Sequence, residues 1–224
     1  MAYLIFIIPA FILSLYAQFK VKSTFNKYSQ IRSSRGISGA EVASTILRRN
    51  GIGSRVNVEA VKGNLSDHYD PVAHTVRLSE TVYGKNSIAA IGVAAHEVGH
   101  AIQHNQQYGP LELRHKIVPV TNFASSASFP ILLVGILMNS MNLVFMGIIL
   151  FSLVVLFHIV TLPVELNASR RALAQLSETG LVTNDELPMV RNVLGAAALT
   201  YLAAALMAVS NLLYYLLIFV SGDE

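Results

Sequence analysis

The sequence has 224 residues and a net charge of +3; 53% of its residues are hydrophobic, 13% are charged, and none is cysteine. Soluble domains usually carry about 25% charged residues, so this composition argues against a soluble protein and favours an integral membrane protein. The lack of cysteine excludes disulfides and thiolate metal sites, and so small a net charge gives no reason to expect nucleic acid as a partner.

Four apolar segments are long enough to cross a bilayer, which takes about 20 helical residues. They cover residues 2–19, 117–138, 143–162 and 194–220, and none contains Lys, Arg, Asp or Glu. The first lacks the basic start and the small-residue cleavage site of a signal peptide, so we interpret it as a retained anchor. The prediction is a mainly α integral membrane protein with four transmembrane helices.

The positive charges predict the orientation of these helices. All 16 Lys and Arg lie within residues 20–116, at Arg170 and Arg171, and at Arg191. With four transmembrane helices, these places fall on one side, and Lys and Arg favour the cytoplasmic side. We therefore predict a multi-pass plasma membrane protein with a cytoplasmic domain at 20–116 and a cytoplasmic helix within 163–193.

The polar segment 20–116 is predicted to be a small α+β domain. A helix is expected from about Gly39 to Asn50, because Ser38 and Glu41 can form a capping box at its start. Valines alternating with polar residues near 56–60 predict a half-buried strand, and 75–79 predicts a second short strand.

A helix predicted from about Ile88 to Asn105 contains the sequence His96-Glu97-Val98-Gly99-His100. Residues four apart share a helix face, so His96 and His100 can offer two imidazole nitrogens to one Zn²⁺. Glu97 can act as general base towards a zinc-bound water, whose pKa falls from about 15.7 towards about 7. The apolar flanks indicate a buried helix, which favours a metal site over two surface histidines.

A catalytic zinc needs a third protein ligand and an open position. His104 follows His100 by one turn, but three ligands on one straight helix would spread over about 12 Å. We therefore expect His104 to line the site in a supporting role. Glu165, just beyond the third apolar segment, is the better candidate for the third ligand. The small residues Ala168 and Ala172 after it favour close packing on another helix.

The segment 64–71 is predicted to be a turn, because Asp and Pro favour turns. However, His68 and Tyr69 stand between two Asp residues, which is unusual for a plain turn. Either side chain could donate to the oxyanion of a tetrahedral intermediate or bind substrate. Arg170 is a rival oxyanion donor, and the alternative is that it only belongs to a basic membrane flank.

Three motifs carry a family resemblance: DHYDP at 67–71, AAHEVGHAIQ at 94–103, and LPVE followed by ASRRA within 162–172. Together they resemble the YugP-like family of bacterial membrane zinc metallopeptidases over nearly the whole chain. More distantly, residues 165–172 resemble the Glu-x-x-Ala-Asp-x-x-Ala ligand helix of HtpX-type membrane gluzincins. Ser169 replaces the Asp of that pattern, so it can give a zinc-binding histidine only a neutral hydrogen bond.

The resemblance implies a gluzincin-like domain with one Zn²⁺ that hydrolyses peptide bonds. By the same analogy, 75–79 is expected to be an edge strand on which a peptide substrate pairs. We predict a metallopeptidase acting on membrane-associated polypeptides. The first alternative is a catalytically silent zinc-binding scaffold or chaperone. The second, a metal transporter using His158, fits poorly because the apolar segments contain few other polar residues.

Overall fold

A computed structural model describes residues 2–221, with side chains from Ile5 onward. Within this range the chain is mainly helical, with one small sheet, which confirms the predicted mainly α class. The elements in chain order are α1 Ala2–Ser29, α2 Gly39–Arg49, β1 Asn57–Val61, β2 His68–Asp70, β3 Thr75–Ser79, α3 Ile88–Asn105, α4 Gly109–Leu137, α5 Met141–Glu178 and α6 Leu187–Ser221.

Four of the helices, α1, α4, α5 and α6, are long and apolar enough to cross a membrane. Only between 11% and 28% of the residues in their most apolar stretches are buried within the protein. Apolar surface of this extent needs lipid or another protein to cover it. Helix α5 continues without a break through Pro163, so the apolar segment 143–162 and the polar helix after it form one element.

The chain divides into two compact units. The first contains the residues up to Gln18, Glu112–Pro163 and the residues from Leu199 onward. In this unit α4 and α5 approach closely: a Cβ added at Gly135 would lie 2.7 Å from the backbone nitrogen of Val144. Small residues at helix contacts are common in membrane proteins. The division into membrane and cytoplasmic domains that the charges indicate stays a prediction.

The second unit contains Phe19–Leu111 and Val164–Ala198. Helix α2 begins with the predicted capping box, in which the Ser38 hydroxyl accepts from the Glu41 backbone and the Glu41 carboxylate accepts from the Ser38 backbone. At the start of α3, the Ser87 hydroxyl accepts from the backbone N–H of Ala90. The apolar faces of α2 and α3 share one core, whose most deeply buried members include Val42, Ile46, Leu47, Ile88, Ile91 and Val98.

The sheet has the strand order β1-β3-β2, with β1 parallel and β2 antiparallel to β3. Strand β2, His68–Asp70, lies inside the segment predicted to be a turn, because its polar triplet lacks an alternating apolar pattern. The prediction that 75–79 is an edge strand is wrong. Both sides of β3 are paired, and its apolar residues Val76 and Leu78 are fully buried, which suits a central strand.

Candidate metal centre

The centre forms where α3 packs against the part of α5 that belongs to the second unit. A Cβ added at Gly99 would lie 2.6 Å from the carbonyl oxygen of Ala168, and Ala168 is fully buried. This close approach confirms the packing expected from the small residues of α5. It also brings His96 and His100 of α3 against Glu165 of α5.

Three side chains converge at this contact. The Nε2 atoms of His96 and His100 lie 3.2 Å and 3.5 Å from Oε2 of Glu165. The candidate ligand atoms of the three residues all lie within 4.8 Å of one another. Zinc bonds of about 2.0–2.1 Å in a tetrahedron put neighbouring ligand atoms about 3.3 Å apart. The distances of 3.2 Å and 3.5 Å are close to this value, so these three residues could hold one zinc ion.

A glutamine fixes the orientation of the second imidazole. The Nδ1 atom of His100 lies 3.0 Å from Oε1 of Gln103. The amide nitrogen of Gln103 donates to the Val164 carbonyl at 2.8 Å and to Oδ1 of Asn167 at 3.0 Å. Because that nitrogen contacts two oxygen atoms that can only accept hydrogen bonds, the amide oxygen must be the atom that faces His100. Nδ1 of His100 therefore carries the hydrogen, and Nε2 keeps its lone pair for a metal.

The first imidazole has a weaker support. Nδ1 of His96 lies 3.1 Å from Oγ of Ser169, so Ser169 lies where a neutral hydrogen bond to this ring is possible. Arg171 of α5 donates to Oδ1 of Asn167 on its own helix and to Oε1 of Gln106 at the C-terminal end of α3, both at 2.6 Å. This second network links α5 to the end of α3 without contacting either histidine directly.

Glu97 is buried, and it is not one of the three converging donors. Burial raises the pKa of Glu97, against the lowering effect of the neighbouring His96 and His100. Burial alone would lower the pKa of His100, but the neighbouring carboxylates of Glu165 and Glu97 favour its protonated form and raise the pKa overall. A carboxyl group whose pKa is raised is suited to exchange protons near neutral pH.

The two aspartates of the 67–71 segment are structural. Asp67 accepts from the backbone N–H and hydroxyl of Ser79, at 2.7 Å and 2.9 Å, and so ties the start of β2 to β3. Hydrogen bonds from the backbone of Ala73 and from Arg77 lower the pKa of Asp70 to about 2. These contacts close the turn between β2 and β3. The turn-forming residues of this segment therefore stabilise a β-hairpin.

Tyr69 and His104 contact each other. The Tyr69 hydroxyl lies 2.9 Å from Nδ1 of His104, and both side chains line a cavity on the second unit. Burial, together with the charge of Asp70, raises the pKa of Tyr69 to about 12, so its hydroxyl stays protonated at neutral pH. The supporting role of His104 towards the metal and the oxyanion role of Tyr69 stay predictions.

The remaining two candidates lie on the surface. His68 is exposed, and its Nδ1 lies 2.8 Å from the backbone oxygen of Ser66. Arg170 is exposed on α5, while its neighbour Arg171 is the arginine that bonds within the second network. An oxyanion role for His68 or Arg170 therefore stays a prediction.

The orienting role of Gln103 was not predicted, although a polar residue three positions after His100 in an apolar helix is a usable signal. Replacing Gln103 with Met should lower the affinity for zinc by about 10–100-fold, because the His100 ring loses its orienting partner. Competition with a chromophoric chelator measures this affinity. The exposed Gln107→Met serves as control and should bind zinc as the wild type does. Equal affinities for both variants would contradict the orienting role.

The chain is similar to known proteins over nearly its whole length. Residues 3–220 match the protein family described as "Putative neutral zinc metallopeptidase". The chain is 53% identical over all its 224 residues to the "Putative membrane protease YugP" of Bacillus subtilis (strain 168), and the match covers 99% of that relative. No solved structure matches the chain. The family match and the full-length relative together show that this membrane protein belongs to the YugP-like family.

Proposed function

We propose that this protein is a zinc endopeptidase in which His96, His100 and Glu165 hold one Zn²⁺ and Glu97 is the general base. The observation that carries this proposal is the convergence of two imidazole nitrogens and one carboxylate oxygen at spacings suited to a single tetrahedral ion. The membership of a zinc metallopeptidase family supports zinc over other divalent ions.

Bound in this position, Zn²⁺ would polarise a peptide carbonyl and lower the pKa of a coordinated water. Glu97 accepts a proton as the oxygen of water forms a bond to the carbonyl carbon. It then passes that proton to the amide nitrogen as the C–N bond breaks, so that one acid and one amine leave. Its burial and raised pKa suit both transfers. The hydrogen bond from His100 to Gln103 keeps the imidazole in the tautomer that this arrangement needs.

The substrates that we propose are polypeptides in or near the membrane. Glu165 follows the apolar segment 143–162 by only three residues in the same helix, α5. A ligand attached so closely to a candidate membrane span favours substrates at the bilayer surface. The location of every Lys and Arg outside the four apolar segments supports a cytoplasmic site in the plasma membrane.

Removal of the metal tests this function. The purified protein in detergent should contain one zinc per chain and should cleave peptides from a synthetic library. Treatment with 1,10-phenanthroline should reduce cleavage to background, because three ligands without an ion give no Lewis acid. Added Zn²⁺ should restore it. Cleavage that survives loss of zinc, measured on the same sample by elemental analysis, would contradict the proposal.

A further inference from the structure

The second unit contains a cavity of about 320 Å³. Its floor is apolar and buried, and is formed by Ile52, Val56 and Ala101. One wall is aromatic: the rings of His74 and His104 stack with their centroids 5.3 Å apart and their planes 12° apart. A cavity of this size and lining can enclose a large, flat side chain.

Helix α3 connects this cavity to the proposed general base. Glu97, Ala101 and His104 are spaced at i, i+4 and i+7, so they lie along one face of the helix. Ala101 lies about 6 Å along the helix axis from Glu97. An extended peptide advances about 3.3 Å per residue. A substrate lying along this face with its cleaved bond at Glu97 therefore places a side chain about two residues away over the cavity.

The mouth of the cavity carries a positive charge. Arg55 lines it and is exposed, and no carboxylate lines the cavity in the described part of the chain. A Lys or Arg side chain entering there would meet a like charge without a partner. An aromatic side chain would bury its surface on the floor and would contact the stacked rings. The Tyr69 hydroxyl, 2.9 Å from Nδ1 of His104, helps to hold that wall in place.

We propose that this cavity is the specificity pocket of the peptidase. It takes a large aromatic side chain, of Phe, Tyr or Trp, within about two residues of the cleaved bond, and it disfavours Lys and Arg at that position. The inference rests on the proposed function, since it assigns the substrate class of the same site.

The test uses the full-length, zinc-loaded protein in detergent. Its substrates are synthetic decapeptides that differ from one another only at one position, which carries Phe, Ala or Lys, and each position is varied in turn. Mass spectrometry locates the cleaved bonds and gives relative kcat/KM values. Phe within two residues of the cleaved bond should raise kcat/KM over Ala by about 10–100-fold, as expected for filling an apolar pocket. Lys at the same position should give the lowest value.

Two variants address the wall and the mouth separately. His74→Asn should lower the Phe-to-Ala ratio, and Asn tolerates the left-handed backbone at this position, where φ is 48°. Arg55→Glu should raise the Lys-to-Ala ratio. The matched control Arg49→Glu, at an exposed arginine of α2 outside the cavity, should leave both ratios unchanged.

The possible outcomes distinguish a failure of the specificity-pocket proposal from a failure of the proposed peptidase function. A wild type that cleaves without preferring Phe, or variants that leave both ratios unchanged, would overturn the pocket while the peptidase proposal stands. A zinc-loaded wild type that cleaves none of the peptides would overturn both.

Discussion

Glu97→Gln should lower peptide hydrolysis by about 10²–10⁴-fold while the protein still binds one zinc per chain. The amide of Gln has nearly the shape of the carboxylate, so the buried position should stay filled. It cannot accept the proton of the attacking water, however. The three converging donors do not include Glu97, so the metal centre keeps all of its ligands. Initial rates on a cleaved peptide and elemental analysis of the same preparation measure both quantities.

This experiment also separates the peptidase from a zinc-retaining scaffold or chaperone. A scaffold would keep its cellular function in Glu97→Gln, whereas a peptidase would lose it. Glu80→Gln is the matched control, because Glu80 is exposed and the same charge is removed outside the site. A variant Glu97→Gln that hydrolyses peptides as fast as Glu80→Gln would remove Glu97 from the mechanism.

The parts of the fold that follow from local chemistry could be predicted from the sequence. Helix α2 has a capping box at Ser38 and Glu41, and Gly51 just after it has the positive φ of a helix end. The expected range of α3, Ile88 to Asn105, agrees with the structure because a cap and an unbroken apolar run both lie within the segment itself. The four apolar segments are visible for the same reason, since length and hydropathy are local properties.

The parts of the fold that depend on pairing between distant segments of the chain could not be predicted from the sequence. Nothing in the triplet His68–Asp70 shows that it will pair with Arg77 and its neighbours, because its side chains are polar and do not alternate. The central position of β3 likewise requires β1 and β2 to lie on either side of it, which is a property of the whole sheet. A short buried apolar strand is compatible with either position when only its own residues are known.

In the candidate site, too, the features set by local sequence could be predicted and those set by distant contacts could not. The spacing of His96 and His100 gives two donors from one helix, and Glu165 was named from its position after an apolar segment; the three lie together in the structure. The resemblance to the HtpX-type ligand helix already indicated Ser169 as a hydrogen-bond partner of a zinc-binding histidine, and its Oγ lies 3.1 Å from Nδ1 of His96. The partner of Nδ1 of His100 was harder to predict. The contact of His100 is to Gln103 on its own helix, but what orients that amide is the backbone of Val164 on α5. Gln103 and Val164 lie 61 positions apart in the sequence, so their contact leaves no local signal.

Gly99→Ala should lower both the free energy of unfolding and the affinity for zinc. The added methyl would lie 2.6 Å from the carbonyl oxygen of Ala168 and 3.2 Å from two further backbone atoms of that residue. Backbone cannot swing aside as a side chain can, so α3 and α5 must separate. Overpacking of this kind costs about 1–3 kcal/mol. Because Glu165 lies one turn before Ala168 on α5, the same separation moves its carboxylate away from the two imidazoles.

Metal ligands tolerate displacements of only about 0.2 Å, so the affinity of Gly99→Ala for zinc should fall by at least about 10-fold. Thermal unfolding in detergent and chelator competition measure the two effects. Gly92→Ala is the control on the same helix: its added methyl would lie 3.1 Å from a methyl of Val190, a side chain that can shift. Replacing a helical Gly with Ala gains up to about 1 kcal/mol, so this control should be neutral or more stable. If Gly99→Ala matched it in both measurements, the contact between α3 and α5 would not be what sets the spacing of the three donors.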